Sequence, residues 1–177
     1  EYLPMSKTMQ TVRLTTAQAL TRFLINQHVE LDDGSELPLF AGVWAIFGHG
    51  NVAGIGEALY QVQDQLPTYR GHNEQSMALA AIAFAKARQR QQVMVATTSI
   101  GPGATNLVTA AGVAYVNRLP VLLVPGDVFA SGQPDPVLQQ SENFADGSST
   151  VNDTLRPVSR YFHRITRPEQ LIQALPR

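Results

Sequence analysis

No cysteine occurs in the 177 residues, which excludes disulfide frameworks, thiolate nucleophiles and cysteine-held metal clusters. Nothing points to an oxidising compartment, and a cytoplasmic protein is expected. Excess charge of either sign is missing too: 13 Lys and Arg stand against 14 Asp and Glu, so neither nucleic acid nor membrane lipid is expected as a partner. No apolar run approaches the ~20 residues that cross a bilayer. The first ten residues, EYLPMSKTMQ, lack the apolar core of a signal peptide and read as a disordered leader or expression remnant. That leaves residues 11–177 as one domain. GxGxxG, GxxxxGK[ST] and GxSxG are absent, and so are internal repeats. No His, Asp or Glu pair has metal-site spacing, so no metal ligand is expected within this chain.

What is present suits a compact α/β domain: 44% hydrophobic and 15% charged residues, in a length that buries one core. Thr15 or Thr16 can cap a helix through Ala17, Leu20, Phe23, Leu24 and Gln27. After the polar turn LDDGSELP, the unbroken apolar run Val43 to Phe47 reads as a strand covered on both faces. A second helix fits Gly54 to Gln65, ended by Pro67, and a third fits Glu74 to Arg90, with alanines that admit another backbone closely. Val93 to Thr97 is the next strand, Ala104 to Asn117 a further helix, and Val121 to Val124 a third strand. Strands alternating with long helices predict a doubly wound, mostly parallel sheet with helices on both faces and these three strands inside it. Gly126 to about Asp153 reads as a long polar surface connection, and Pro168 can start a terminal helix through Leu171, Ile172 and Leu175.

In such sheets ligands bind beyond the carboxyl ends of the strands, so the turns Gly48 to Asn51, Ser99 to Gly103 and Gly126 to Asp127 belong on one rim. Their glycines let a ligand approach the backbone, or serve the turns alone. Pro102 removes a donor from the second turn, which favours a shape-defining turn over an anion nest. Glu74 follows Arg70-Gly71-His72-Asn73 and opens an apolar helix. It is either a chemical carboxylate or an acidic residue favoured by the helix dipole. His49 and His72 are open to acid–base or to structural roles.

The order Phe47-Gly48-His49-Gly50-Asn51, His72-Asn73-Glu74-Gln75, Thr97-Thr98-Ser99-Ile100-Gly101-Pro102-Gly103-Ala104-Thr105-Asn106 and Pro120 to Asp127 resembles the pyrimidine-binding domain of the acetolactate-synthase-like thiamine-diphosphate enzymes, over about residues 11–177. The GHGN turn, where most members have GxPG, makes it look most like the trihydroxycyclohexane-1,2-dione hydrolases, which open a cyclic diketone in myo-inositol breakdown. Acetolactate synthase, a related carboligase or a noncatalytic ligand-binding module are the other readings. The resemblance implies that Glu74 is the catalytic residue. It would bond N1′ of the aminopyrimidine and favour the imino form that takes the C2 proton. It also implies that Gly50, Gly101, Pro102, Gly103 and Asn106 line the cofactor, and that the enzyme is a homodimer or homotetramer with the alanine-rich helix at the subunit interface. Mg²⁺ and the diphosphate would be held elsewhere: the family's GDG motif is missing, and Gly126-Asp127-Val128 lacks the second glycine. The chain therefore reads as part of a longer enzyme, inactive alone.

Overall fold

A computed structural model describes residues 11–49, 51–128, 130, 136–143 and 145–177. The expected leader, residues 1–10, lies outside the described residues. Helix α1 (Thr16–Ile25) starts at Thr15, whose side chain takes the Gln18 N–H while the Gln18 side chain takes the Thr15 N–H. This reciprocal cap satisfies two otherwise orphaned donors. A short antiparallel hairpin follows, β1 (His28–Glu30) and β2 (Glu36–Pro38), with Gly34 at φ +80° in its turn.

The main sheet comprises β3 (Phe40–Ala45), β4 (Thr68–Arg70), β5 (Val93–Thr98) and β6 (Leu122–Pro125), all parallel, in the order β4-β3-β5-β6. Strand β5 is buried at every residue. Successive residues feed opposite cores. Val43, Val95 and Leu122 join Leu20 and Leu24 of α1, Leu59 of α2 (Glu57–Gln61) and Leu171 of α6 (Gln170–Ala174). Trp44, Ala96 and Leu123 face α3 (Glu74–Ala87), α5 (Val108–Asn117) and Leu155 of the 3₁₀ helix Val151–Val158. Helices thus cover both faces, and each fully buried valine or leucine stabilises the fold by about 1.5–3 kcal/mol. The step from β3 to β4 runs one way along the sheet with α2 on one face. The steps to β5 and β6 run the other way with α3 and α5 on the opposite face, as crossovers of a single hand require.

Several expectations shift. The first strand lies at Phe40–Ala45, so Ile46 and Phe47 already belong to the turn. Strand β6 pairs only with β5 among the described residues, which makes it an edge rather than an interior strand. The expected second helix divides into a π-helical turn, Val52–Gly56, and the short α2. Helix α3 stops at Ala87 because Gln89 and Arg90 adopt φ of 52° and 68°. The helix expected from Ala104 divides into α4 (Pro102–Thr105) and α5. The alanines of α3 have a partner within the domain: Ala78, Ala81 and Ala85 are fully buried, and Ala78 packs with Ala110, Ala111 and Ala114 of α5. Close backbone approach is therefore used inside the fold, while Leu79 and Ala83 face outward.

Candidate functional site

The chain leaves β3 toward one side of the sheet and β5 toward the other, so their carboxyl ends flank the place where the winding reverses. Side chains cannot fill the gap that opens there, and this is where ligands settle in doubly wound sheets. The sequence puts Gly48 at one lip and Ser99 at the other. They touch: a Cβ built on Gly48 would run into the Ser99 Cβ.

Glu74 reaches the same place from α3. Asn73 caps that helix by accepting the Ser76 N–H at 2.9 Å, which fixes Glu74 as the first helical residue, half-buried. Asn106, at the end of α4, donates from Nδ2 to Glu74 Oε2 at 2.8 Å. A hydrogen bond to a charged acceptor of this kind orients the carboxylate as well as stabilising it. A Cβ on Gly103 would lie 2.5 Å from Ser99 Oγ and 3.3 Å from Glu74 Oε1. Glycine at 103 therefore leaves Oε1 open while Asn106 occupies Oε2. The result is a half-buried carboxylate with one oxygen held and one presented.

Gly101 shapes the turn beneath. Its φ of 60° and ψ of −120° suit glycine at the first central position of a type II′ turn, and a Cβ there would meet the carbonyl of Gln139. Pro102, at the first turn of α4, is exposed. The structure thus brings Glu74, Gly103 and Asn106 together, with Gly101 and Pro102 forming the turn that carries them. Gly50 lies outside the described residues. His49 and His72 are exposed.

Two residues of the expected rim turns, given no role of their own by sequence reasoning, complete the rim. Ser99 is wedged between Gly48 and Gly103. Asn51 donates from Nδ2 to the Thr98 carbonyl at 2.8 Å and accepts the Gly48 N–H on Oδ1 at 3.1 Å. An asparagine closing a glycine-rich turn was the available signal, since its side chain commonly bonds nearby backbone. Beside Asn51, Phe47, Val52, Gly56, Glu57, Tyr60 and Gln61 line an open groove of about 420 Å³.

The polar connection after β6 is pinned at its root. Asp127 Oδ2 accepts from Arg164 Nε at 2.6 Å, and its Oδ1 accepts from the Thr150 hydroxyl at 2.9 Å. Asp153 Oδ2 takes the Thr150 N–H at 3.0 Å. That bond, assisted by Arg156 and opposed by partial burial, holds the Asp153 carboxyl below its ordinary value of 3.8. Among the described residues no three His, Cys, Asp or Glu side chains gather as a metal site would need, and no helix is long and apolar enough to cross a membrane.

Residues 41–147 match the family model described as thiamine pyrophosphate enzyme, N-terminal TPP binding domain. Over 167 residues, 94% of this chain, it is 57% identical to the 3D-(3,5/4)-trihydroxycyclohexane-1,2-dione hydrolase of Geobacillus thermodenitrificans. It is 55% identical to the protein named 3D-(3,5/4)-trihydroxycyclohexane-1,2-dione hydrolase 1 in Bacillus cereus and to the corresponding hydrolase of Bacillus anthracis, over the same share of the chain. The matched stretch is 26% of each relative, so the chain spans about a quarter of the length of these curated relatives.

Proposed function

The chain belongs to the thiamine pyrophosphate enzymes as their N-terminal TPP-binding domain, and on that premise we propose that it is the pyrimidine-binding part of a hydrolase that opens trihydroxycyclohexane-1,2-dione in myo-inositol breakdown. The identity of 55–57% to hydrolases of that name supports this substrate over the acetolactate-synthase reading. The observation that carries the catalytic assignment is the Glu74 carboxylate, held through Oε2 by Asn106 and left open at Oε1 by Gly103.

These residues fit one edge of an aminopyrimidine. Oε1 of Glu74 is available to a ring nitrogen, and the missing side chain at position 103 makes room for the ring. When bound, thiamine diphosphate supplies the electron sink for cleaving a carbon–carbon bond beside a carbonyl. Glu74 would hold and return a proton at N1′ through Oε1. Asn106 keeps the carboxylate from turning away. Gly101 and Pro102 set the height of the turn on which Gly103 and Asn106 ride, and Gly50 would be a further cofactor-binding residue. Mg²⁺ and the diphosphate would be held by residues of a partner domain. The working enzyme would be a cytoplasmic homodimer or homotetramer.

The test is Glu74→Gln in the full-length enzyme. The amide keeps a hydrogen bond to the ring, so cofactor affinity is retained. It cannot exchange the proton, so C2 proton exchange of bound thiamine diphosphate, followed by NMR, falls by about 10²–10⁴-fold. A residue serving only the helix dipole would cost at most about 1 kcal/mol of stability and leave the exchange rate intact. Equal rates in both forms would refute the assignment.

A further inference from the structure

All three rim turns meet at one atom. The carbonyl oxygen of Thr98, the last residue of β5, accepts the Asn51 Nδ2 donor at 2.8 Å from the turn after β3. It also accepts the Gly126 N–H at 2.9 Å from the turn after β6. Thr98 is fully buried, so water does not compete freely for this carbonyl. Asn51 in turn takes the Gly48 N–H. One carboxamide therefore spans the crevice, with an acceptor toward its own turn and a donor toward the facing strand. Aspartate would keep the acceptor and lose the donor; alanine would lose both. Gly48 abuts Ser99, Ser99 abuts Gly103, and Gly103 borders the open oxygen of Glu74. A shift at Asn51 is passed along close contacts to that oxygen, because packed groups have little room to absorb it.

We infer that Asn51 is a positioning residue: its carboxamide clamps the two lips of the crevice at the separation that sets the Glu74 carboxylate. The functional half of this inference rests on the thiamine-binding reading; the clamp itself does not. It is tested in the full-length enzyme with Asn51→Ala and Asn51→Asp beside Glu74→Gln, reading amide hydrogen exchange over the peptide containing Gly48, cofactor affinity and C2 proton exchange of bound thiamine diphosphate. In Asn51→Ala the Gly48 amide exchanges about tenfold faster, as expected for one lost hydrogen bond, and C2 exchange slows by a similar factor while affinity changes little. Asn51→Asp still offers an acceptor to Gly48 and protects it, yet slows C2 exchange, because the donor to Thr98 is replaced by an acceptor facing an acceptor. That split is not expected if Asn51 merely fills space. Wild-type exchange at Gly48 in Asn51→Ala overturns the clamp whatever Glu74 does. Should Glu74→Gln abolish C2 exchange while both Asn51 variants keep it, the positioning role fails and the thiamine reading stands. Should Glu74→Gln leave it intact, the thiamine reading fails, the functional half falls with it, and Gly48 exchange alone decides the clamp.

Discussion

Replacing Gly103 by alanine puts a methyl group where the structure has 2.5 Å to Ser99 Oγ, 3.3 Å to Glu74 Oε1 and 3.6 Å to Ser99 Cβ. Ser99 has little freedom to retreat, since it is 5% exposed and its far side lies against Gly48. Overpacking of this kind costs about 1–3 kcal/mol, which for a chain of this size lowers the thermal midpoint by roughly 2–12 °C. The short contact is to a single atom, and Ser99→Ala removes it. The double variant Ser99→Ala/Gly103→Ala should therefore recover most of the loss, with a favourable coupling above about 1 kcal/mol where independent sites add within roughly 0.3–0.5 kcal/mol. Denaturation of the four proteins of this cycle measures the coupling. The methyl remains 3.3 Å from Oε1 in the double variant, so cofactor affinity of the full-length enzyme should stay impaired after stability is restored. Additive stabilities would refute the packing account, and restored affinity would refute the view that position 103 keeps the carboxylate open.

Gly101→Ala places a side chain at φ 60° against the Gln139 carbonyl. The backbone strain alone costs about 1–3 kcal/mol, and a change in denaturation midpoint worth less than about 1 kcal/mol would show that the turn adapts. Asp153 titrates lower in the folded chain than unfolded, so its contribution is present above the unfolded value and lost as pH falls through the folded one. Asp153→Asn should accordingly be less stable than the parent at neutral pH, with the two curves converging in acid below 3.8; a constant gap in pH-dependent denaturation would contradict this.

Strands and helices whose burial is decided by their own side chains were legible. The apolar runs around Val43, Val95 and Leu123 announced a parallel sheet because both faces are covered. Strand β4 was not legible: Thr68, Tyr69 and Arg70 are exposed, and their pairing is dictated by the neighbouring edge of β3 rather than by hydrophobic pattern. The hairpin of His28–Glu30 and Glu36–Pro38 is likewise short and charged. Helix ends failed where the backbone reverses hand, at Gln89 and Arg90, since neither residue type signals positive φ. In the site, the places of Glu74 at a helix start and of Gly103 in a rim turn were legible locally, whereas the roles proposed for them and for Asn106 come only through resemblance. The wedge of Ser99 and the reach of Asn51 depend on two strands lying side by side, which no local pattern encodes.

That side-by-side arrangement also sets when the crevice can exist during folding. Asn51 and Thr98 are 47 positions apart in the chain, and the loop between them must close before either lip has a partner. Closing it costs entropy that local helix contacts do not repay. Helices α1 and α3 can form from neighbouring residues while the rim is still two unrelated turns. A nascent chain that has emerged only as far as Ala87 would hold Glu74 on its helix but lack Ser99, Gly103 and Asn106 altogether. The carboxylate acquires its orientation only once Asn106, which follows β5, is in place to bond it. A ligand that recognises the finished crevice would draw the population toward the fully paired sheet by mass action, so on this topology ligand supply would act as a lever on folding yield.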